Sequence, residues 1–294
     1  MITNPEAIKR LALDSGGYAM VALDQRESLR TMFVRSGSDA SDEQLSEFKR
    51  VASAVLAPFA SAILMDRVFS ASADLDLGGT PLILAVDEFD QPVGHPLRDS
   101  WVDPAVTPQL AADFGAAALK QLVLWSIESD LADHRDVAAR FRRLCDEAGL
   151  PGIIEGVVCA PADSTKEWDR DAAIVAAAAE FATYKPDLYK AEVPAFGRSD
   201  DSYLEKQCRA ITEALGGRPW VVLSSGVDAN DFPNAVRIAC RSGASGFLAG
   251  RAIWADCVGG SVSDLQDRAV ARLRRLVAIV EDEVDSGNSL HVQG

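Results

Sequence analysis

The sequence predicts an α/β fold, and three observations favour a (β/α)8 TIM barrel within that class. Short apolar segments recur eight times along the 294 residues, helical patterns lie between most of them, and no GxGxxG loop follows the first segment. Strands that alternate with helices pair in parallel, and eight such units in a chain of this length fit a closed barrel. The alternative is an open doubly wound sheet, which lacks its glycine-rich phosphate-binding signal here.

The predicted strands share a short run rich in apolar residues that contains or precedes a polar residue. In chain order they are "YAMVALD" (18–24), "AILMD" (62–66), "PLILAVD" (81–87), "LKQLVLW" (119–125), "GIIEGVV" (152–158), "DLYKAEV" (187–193), "WVVLSSG" (220–226) and "GFLAG" (246–250). Because each is short and bounded by polar or glycine-rich segments, we predict a strand at each position.

The predicted helices share apolar residues at helical spacing. They are "SDEQLSEFKRVASAVLAPFA" (41–60), "TPQLAADFGAAALK" (107–120), "HRDVAARFRRLCDEAGL" (134–150), "DAAIVAAAAEFATY" (171–184), "SYLEKQCRAITEALGG" (202–217) and "SDLQDRAVARLRRLVAIVEDEV" (263–284). No linker-like tract or short-period repeat divides the chain. We therefore predict one domain over residues 1–294.

Composition restricts the class of function. The chain is 48% hydrophobic and 25% charged, has no apolar run long enough to span a bilayer, and lacks an uninterrupted apolar segment near its start. We therefore expect a cytoplasmic globular protein that does not contact membranes. The net charge of −15 opposes nonspecific binding of nucleic acid. An anionic small molecule would need a local cationic pocket set against this overall field.

The cysteines and histidines do not form a recognisable metal motif. The five cysteines are scattered without a CxxC pair and are interpreted as reduced core thiols: Cys145, Cys159, Cys208, Cys240 and Cys257. The histidines are dispersed and are each interpreted as surface or loop residues: His95, His134 and His291. A Mg²⁺ site built from Asp24, Asp66 and Glu155 is the remaining metal-dependent alternative.

Ionisable and polar side chains occur repeatedly at strand ends or inside strands. They are Asp24, Gln25, Arg26, Asp66, Asp87, Lys120, Glu155, Lys190, Ser224, Ser225 and Arg251. In barrel enzymes the carboxyl ends of the strands converge on one mouth, where the chemistry takes place. For Asp87 a helix N-cap or a rim charge is the favoured interpretation, and for Asp66 such a role and a site position are weighed equally. In contrast, a charge inside a strand needs a partner or a solvated cavity.

Lys190 is the strongest candidate for a nucleophile. Apolar surroundings and a nearby cation such as Lys120 disfavour the ammonium form, so the neutral amine can attack a carbonyl carbon. Glu155 can then carry the protons for carbinolamine dehydration and carbon–carbon cleavage. Because the resulting imine is itself the electron sink, we expect no metal or other cofactor.

Two segments predict anion binding. The runs "LSSGVD" (223–228) and "GFLAGRAIW" (246–254) end the seventh and eighth predicted strands in small residues, and Arg251 adds a planar donor set. Phosphate sites after these two strands recur in barrels, although the glycines alone would also fit tight turns. A second anion site is predicted at Gln25 and Arg26. The alternative for Arg26 is a surface charge at the start of a helix.

The motifs together resemble a known family. The segments "VALDQRESLRTMF", "LKQLVLW", "GIIEGVV", "DLYKAEVP", "WVVLSSGVD" and "ASGFLAGRAIW" resemble the class I aldolases of the tagatose-bisphosphate aldolase group, over about residues 15–285. Within that group they resemble most closely the 6-deoxy-6-sulfofructose-1-phosphate aldolases of sulfoglycolysis. The segment "IIEGVVCAPADSTKEWDR" differs from the "IIEPVV" form of the sulfosugar enzymes.

The resemblance implies a role for each candidate residue. It places the imine on Lys190 and assigns catalytic roles to Lys120 and Glu155. It also implies that Asp24 binds the sugar hydroxyls. The C1 phosphate maps to Ser225, Gly226, Gly250 and Arg251, and the other end of the sugar maps to Asp24, Gln25 and Arg26.

The implied activity is a cofactor-independent lyase of carbohydrate metabolism, acting in sulfoquinovose degradation. It would cleave sulfofructose 1-phosphate to dihydroxyacetone phosphate and 3-sulfolactaldehyde, and a homo-oligomer is expected. A site with one arginine, Arg26, favours a singly charged sulfonate over a phosphate. The alternatives are tagatose or fructose 1,6-bisphosphate as substrate and, in another class, a non-catalytic anion-binding barrel.

Overall fold

Eight parallel strands close into a barrel in the computed structural model, which describes residues 5–70, 75–92, 94–95, 97–126, 132–161 and 168–291. The barrel strands are β1 (Tyr18–Leu23), β2 (Ala62–Asp66), β3 (Leu82–Ala85), β6 (Ala116–Trp125), β7 (Gly152–Val158), β8 (Leu188–Ala191), β9 (Trp220–Val222) and β10 (Gly246–Ala249). Strand β1 pairs with both β2 and β10, which closes the sheet. The predicted (β/α)8 barrel is confirmed, and the open sheet is wrong.

Helices surround the barrel. They are α1 (Pro5–Ile8), α2 (Glu27–Arg35), α3 (Asp42–Leu56), α4 (Pro108–Asp113), α5 (Ala132–Ala148), α6 (Arg170–Ala182), α7 (Asp201–Ala214), α8 (Phe232–Arg241), α9 (Arg251–Trp254), α10 (Val262–Asp264) and α11 (Val270–His291). Several follow an N-cap residue whose side chain accepts a hydrogen bond from the backbone N–H group three residues further along the chain. These N-cap residues are Ser41, Thr107, Asp169 and Asp200. None of the described helices is long and apolar enough to cross a membrane.

The helix predicted at 107–120 is wrong in its second half. Helix α4 ends at Asp113, Gly115 adopts a φ of +64°, and β6 begins at Ala116. Gly115 takes this left-handed conformation readily because it has no Cβ atom. The short alanine-rich run that follows therefore extends the fourth barrel strand instead of the helix.

An antiparallel hairpin that the sequence did not predict follows β3. It consists of β4 (Asp87–Asp90) and β5 (Asp99–Val102), which pair from Asp87 opposite Val102 to Asp90 opposite Asp99. Asp87 therefore begins a strand and does not cap a helix, so that interpretation is wrong. Asp66 accepts hydrogen bonds from the backbone N–H groups of Val68 and Phe69 at 2.8 and 2.9 Å, which matches a local cap.

Alternation along the strands places the charged side chains at the barrel mouth. The inward residues Ala22, Leu64, Ala85, Ala118, Ile153, Leu188, Val221 and Leu248 belong to one buried apolar cluster. Because side chains alternate between faces, the next inward position is two residues further on. Those positions hold Asp24, Asp66, Asp87, Lys120, Glu155, Lys190, Leu223 and Gly250. A second apolar cluster fills the layer between the strands and the helices.

All five cysteines are free thiols. Four are buried, and Cys159, which follows β7, is partly exposed. Burial, with a further contribution from Glu192, raises the pKa of the Cys159 thiol to about 11. It is therefore a neutral thiol at physiological pH.

Candidate active site

Lys190 and Glu155 lie side by side on neighbouring strands. In the register of β7 and β8 the two residues are direct partners, and both side chains point into the barrel. The Lys190 Nζ atom lies 2.9 Å from Glu155 Oε2. Both residues are buried. The structure therefore pairs the predicted nucleophile with the predicted proton carrier.

Lys120 is the centre of a buried cluster of charges. Its Nζ atom lies 2.8 Å from Asp24 Oδ2, 2.9 Å from Asp87 Oδ2 and 2.6 Å from Glu155 Oε2. An ammonium group has three N–H donors, and three carboxylates surround this one. Burial lowers the pKa of Lys120, but Asp24, Asp87 and Glu155 raise it well above its usual value. Lys120 is therefore a permanent cation.

The two carboxylates that face the cavity are held in the ionised form. Burial raises the pKa of Asp24 and of Glu155, but the positive charges of Lys120 and Lys190 outweigh burial and lower both values. An ionised Glu155 can accept a proton from the Lys190 nitrogen. The carboxylates that surround Lys120 compensate much of its positive charge.

Arg26 lines the cavity, but its guanidinium group is paired with the hairpin. It is buried, and its terminal nitrogens lie 3.0 Å from Glu88 Oε1 and 3.1 Å from Asp87 Oδ1. One nitrogen also donates to the Asp87 carbonyl oxygen at 2.5 Å, and the guanidinium lies 4.4 Å from the centre of the Phe89 ring. These partners belong to the hairpin that the sequence did not predict. We therefore correct the expectation that the guanidinium fork of Arg26 is open to an anion.

The proposed phosphate-binding residues come together after β9 and β10. Arg251 begins α9, and its guanidinium donates to the hydroxyl oxygen of Ser225. Gly226 has a φ of +76°, and a Cβ atom there would lie 2.7 Å from the Phe196 ring. A Cβ atom on Gly250 would lie 2.5 Å from the Ala22 carbonyl oxygen. Close packing therefore requires glycine at both positions, whatever they bind.

One cavity of about 740 Å³ joins these groups. Its walls include Asp24, Gln25, Arg26, Lys120, Glu155, Lys190, Ser225 and Arg251. Gly226 and Gly250 are not part of the walls but adjoin Ser225 and Arg251 in the chain. The hairpin and α2 form the other side, with Thr31, Arg35, Phe89, Gln91 and His95. A cavity of this size is suited to a sugar phosphate.

The alternative magnesium site is not assembled. Asp24 and Glu155 point at the ammonium of Lys120, whereas Asp66 forms an ion pair with the buried Lys49. In the part of the chain that the structure describes, no group of three His, Cys, Asp or Glu side chains is spaced to hold a metal ion.

The histidines are only partly as expected. His134 is buried, with Nε2 2.7 Å from Glu180 Oε1, so its interpretation as a surface or loop residue is wrong. His95 lies exposed between the hairpin strands, as predicted, and lines the cavity. His291 is the last residue of α11, and its side chain lies outside the described residues.

Asp87 was noted as a polar residue at a strand end, but it was not predicted to belong to the site. Its signal was present in the sequence, because it follows the inward-facing Ala85 by two residues. The same spacing separates Leu188 from Lys190 and Ile153 from Glu155.

Gly156 is the point at which the fifth predicted strand differs from the sulfosugar form. A Cβ atom on this glycine would overlap the hydroxyl of the buried Tyr189. The tight contact with the strand that carries Lys190 explains why glycine is required here. Part of the segment that follows, at 162–167, lies outside the described residues.

Comparison with known proteins agrees with this geometry. Among curated relatives, tagatose 1,6-diphosphate aldolase 1 of Enterococcus faecalis is 27% identical over 295 residues, covering 90% of this chain and 88% of that protein. Tagatose 1,6-diphosphate aldolase of Listeria monocytogenes is 27% identical over 288 residues, covering 85% of this chain and 81% of that protein.

Solved aldolase structures share the fold. Fructose-bisphosphate aldolase from Slackia heliotrinireducens superposes with a TM-score of 0.69 at 18% identity, covering 98% of this chain and 92% of that one. The fold also matches an archaeal fructose-1,6-bisphosphate aldolase whose catalytic lysine is covalently bound to the carbinolamine intermediate of the substrate. The TM-score is 0.68 at 18% identity, and the match covers 94% of this chain and 99% of that one.

The family itself is assigned by its sequence profile. The profile described as DeoC/LacD family aldolase matches residues 18–256, which include every site residue discussed above. This result favours an enzyme over the non-catalytic barrel that was the alternative. The chain therefore belongs to the DeoC/LacD family of aldolases, and the protein is a class I aldolase, a carbon–carbon lyase.

Proposed function

We propose that the enzyme cleaves a six-carbon ketose 1-phosphate through an imine on Lys190. The observation that carries this proposal is the 2.9 Å contact between Lys190 Nζ and Glu155 Oε2 in the cavity that also contains Arg251. It places an amine, a base and a cation for phosphate within one space. The archaeal aldolase with a lysine-bound carbinolamine supports the same chemistry.

The reaction balances with the groups that are present. Glu155 accepts a proton from Lys190, and the resulting amine attacks the C2 carbonyl carbon. Glu155 then returns the proton to the carbinolamine hydroxyl, which leaves as water. The protonated imine withdraws the electron pair of the C3–C4 bond as the Glu155 carboxylate, now deprotonated, accepts the C4 hydroxyl proton. The aldehyde then leaves, the enamine takes a proton at C3, and water releases dihydroxyacetone phosphate and restores the amine.

The charged neighbours orient the substrate. Asp24 lines the cavity, and its carboxylate can accept hydrogen bonds from sugar hydroxyls. Lys120 also lines the cavity and can direct an N–H group to a hydroxyl oxygen. For the C1 phosphate we propose Arg251, Ser225 and the backbone N–H groups of the adjoining Gly226 and Gly250.

For the far end of the sugar we propose a sulfonate, with 6-deoxy-6-sulfofructose 1-phosphate as substrate and 3-sulfolactaldehyde as the second product. Asp87 and Glu88 compensate the charge of Arg26, so the end of β1 has little positive charge to offer. A sulfonate has one negative charge and a phosphate has up to two. The loss of positive charge at Arg26 therefore weakens binding of a phosphate more than binding of a sulfonate. Gln25 lines the cavity at this end and can bind the sulfonate oxygens.

Tagatose 1,6-bisphosphate is the second candidate. The curated relatives named above are tagatose 1,6-diphosphate aldolases, and the match covers most of both chains. Arg35 and His95 also line the cavity. Arg35 ends α2, about 12 Å beyond the start of that helix at 1.5 Å per residue. Arg35 could supply the additional positive charge that a second phosphate needs, and a ring nitrogen of His95 could donate a further hydrogen bond.

Reductive trapping tests the mechanism. Borohydride with dihydroxyacetone phosphate should add covalent mass to Lys190 in the wild-type enzyme. The Lys190→Ala variant should fold, gain no mass and lose turnover by at least about 1,000-fold, because the only proposed nucleophile is absent. Appreciable cleavage by the folded variant would exclude the imine on Lys190.

A comparison of substrates tests the proposed sulfonate at the end of the sugar that lies away from the C1 phosphate. We expect kcat/KM for sulfofructose 1-phosphate to exceed the values for tagatose and fructose 1,6-bisphosphate by about tenfold, the modest factor that one charge difference supports. The reverse order would assign the enzyme to the bisphosphate aldolases and leave the mechanism intact.

A further inference from the structure

We infer that Asp87 is a positioning residue for the aldol reaction, acting through Lys120 to hold Glu155 against Lys190. The inference rests on the proposed function of Lys190. Asp87 itself is not a wall of the cavity, and only 2% of its surface is exposed. It therefore cannot bind substrate, and any effect on turnover must pass through its neighbours.

The Asp87 carboxylate is fixed from two sides. Oδ2 lies 2.9 Å from Lys120 Nζ and accepts a hydrogen bond of 2.9 Å from the Leu122 N–H group. Oδ1 accepts from Arg26 at 3.1 Å, and the same guanidinium nitrogen donates to the Asp87 carbonyl oxygen at 2.5 Å. Both oxygens thus have defined partners, and the side chain has little freedom to move.

These contacts extend a line of alternating charges to the reacting lysine. In order it runs from Arg26 through Asp87, Lys120 and Glu155 to Lys190, and each successive pair lies within 3.1 Å. Glu155 Oε2 is shared between the two lysines, at 2.6 and 2.9 Å. The position of Lys120 therefore decides how closely Glu155 approaches the nucleophile.

Removing the charge of Asp87 should shift that balance. Lys120 would keep Asp24 and Glu155 as its carboxylate partners among the described residues, and its ammonium would move towards them. Glu155 would then be held more tightly by Lys120 and less well aligned with Lys190. Proton transfer at the Lys190 nitrogen should suffer, whereas groups that bind the phosphate are untouched.

Arg26 has a positioning role as well. Its terminal nitrogens are engaged by Asp87 and Glu88, so it holds the hairpin in place and fixes the Asp87 carboxylate. A substitution of Arg26 should therefore affect substrates with and without a distal anion equally. A residue that binds the distal anion would instead discriminate between them.

The test compares Asp87→Asn with the matched control Asp66→Asn. Asp66 is also a buried acid at a strand end with a lysine partner, Lys49, but it does not line the cavity. We expect Asp87→Asn to lower kcat by about 30-fold with KM within about threefold, because alignment and not binding is lost. Borohydride trapping of Lys190 should slow by a similar factor. Asp66→Asn should keep kcat within about twofold and lower only the melting temperature.

Several outcomes would overturn the inference. A folded Asp87→Asn enzyme with wild-type kcat would do so, as would a rise in KM alone.

If Asp87→Asn fails to fold, the Arg26→Lys variant tests the inference instead, because lysine keeps the positive charge but lacks the planar guanidinium fork. That variant should lower kcat about fivefold and equally for condensation of dihydroxyacetone phosphate with glyceraldehyde and with glyceraldehyde 3-phosphate. A loss confined to the phosphorylated aldehyde would make Arg26 an anion-binding residue and contradict its positioning role. Failure of the wild-type enzyme to trap at Lys190 would instead count against the proposed function.

Discussion

At the scale of single residues, the site is a set of charges that stabilise one another out of water. Burial alone would neutralise Asp24 and Glu155, yet Lys120 and Lys190 hold both in the ionised form through their lowered pKa values. Asp87 differs, because burial raises its pKa in spite of Lys120 and Arg26. Buried ion pairs contribute little net stability, since desolvation offsets their attraction. We propose that their value here lies in fixing the positions of the groups that would transfer protons.

Arg251 should contribute to binding and not to chemistry. Arg251→Ala removes a charge-assisted contact with the C1 phosphate, which every proposed substrate carries, so KM should rise by about tenfold for all of them with kcat little changed. Steady-state kinetics with the sulfonated and phosphorylated ketoses measure this. Arg35→Ala is the matched comparison, and only the bisphosphates should be affected, because Arg35 is proposed to bind the second phosphate. A loss in Arg251→Ala that is restricted to one substrate would contradict the assignment.

At the scale of elements, the sequence predicted the barrel strands because each is an apolar run that is buried on both faces. The start of β6 was not predicted, since the alanines after Gly115 fit a helix as well as a strand. The hairpin was missed because its strands are polar and only partly buried. β4 also contacts Arg26, which is 61 residues away from Asp87 in the chain.

In the candidate site, too, the residues that depend on distant contacts were not predictable from the sequence. Lys120, Glu155 and Lys190 were predictable because a charge inside an apolar strand is unusual and needs a cavity. The role of Asp87 was not, because an aspartate after a strand fits a local helix cap just as well. Its partner Lys120 lies 33 residues further along the chain. The pairing of β3 with β6 brings the two together.

The loops after β8 and β9 support each other through Gly226. Gly226→Ala would force a Cβ atom against the Phe196 ring at a φ of +76°. We expect the free energy of unfolding to fall by about 2 kcal/mol, from backbone strain and crowding combined. KM for C1-phosphorylated substrates should also rise, because Ser225 adjoins this turn. Urea denaturation and initial-rate kinetics provide the two measurements.

Gly216→Ala is the control for that variant. Gly216 has a φ of +58°, but a Cβ atom there would meet nothing within 4 Å. It should lose about 1 kcal/mol of stability from strain alone and keep the wild-type KM. An unchanged KM in Gly226→Ala would separate the packing of this loop from phosphate binding.

At the scale of the whole molecule, closure of the barrel creates the charge network. Lys120 and Asp24 are 96 residues apart in the chain, and their contact forms only when the first and fourth barrel strands share one mouth. The network is therefore absent from the unfolded chain, and its ionisation is linked to folding. Carboxyl groups with lowered pKa values in the native state stabilise it above their unfolded pKa of about 4, and this contribution is lost as the pH falls.

The response of stability to acid should therefore report on Lys120. In the wild-type protein the lowered pKa values of Asp24 and Glu155, and the Glu180 pKa of about 2, predict a fall in unfolding free energy as the pH drops from about 5 to 3. Lys120→Met leaves the buried Asp24, Asp87 and Glu155 without this cation, which should cost about 3 kcal/mol at neutral pH. Protonation of these carboxyl groups then relieves the cost, so the difference from wild type should narrow as the pH falls towards 5. Urea unfolding over this range tests the prediction, with the exposed Lys206→Met as control. A difference that stays constant with pH would mean that Lys120 does not hold these carboxylates in their ionised form.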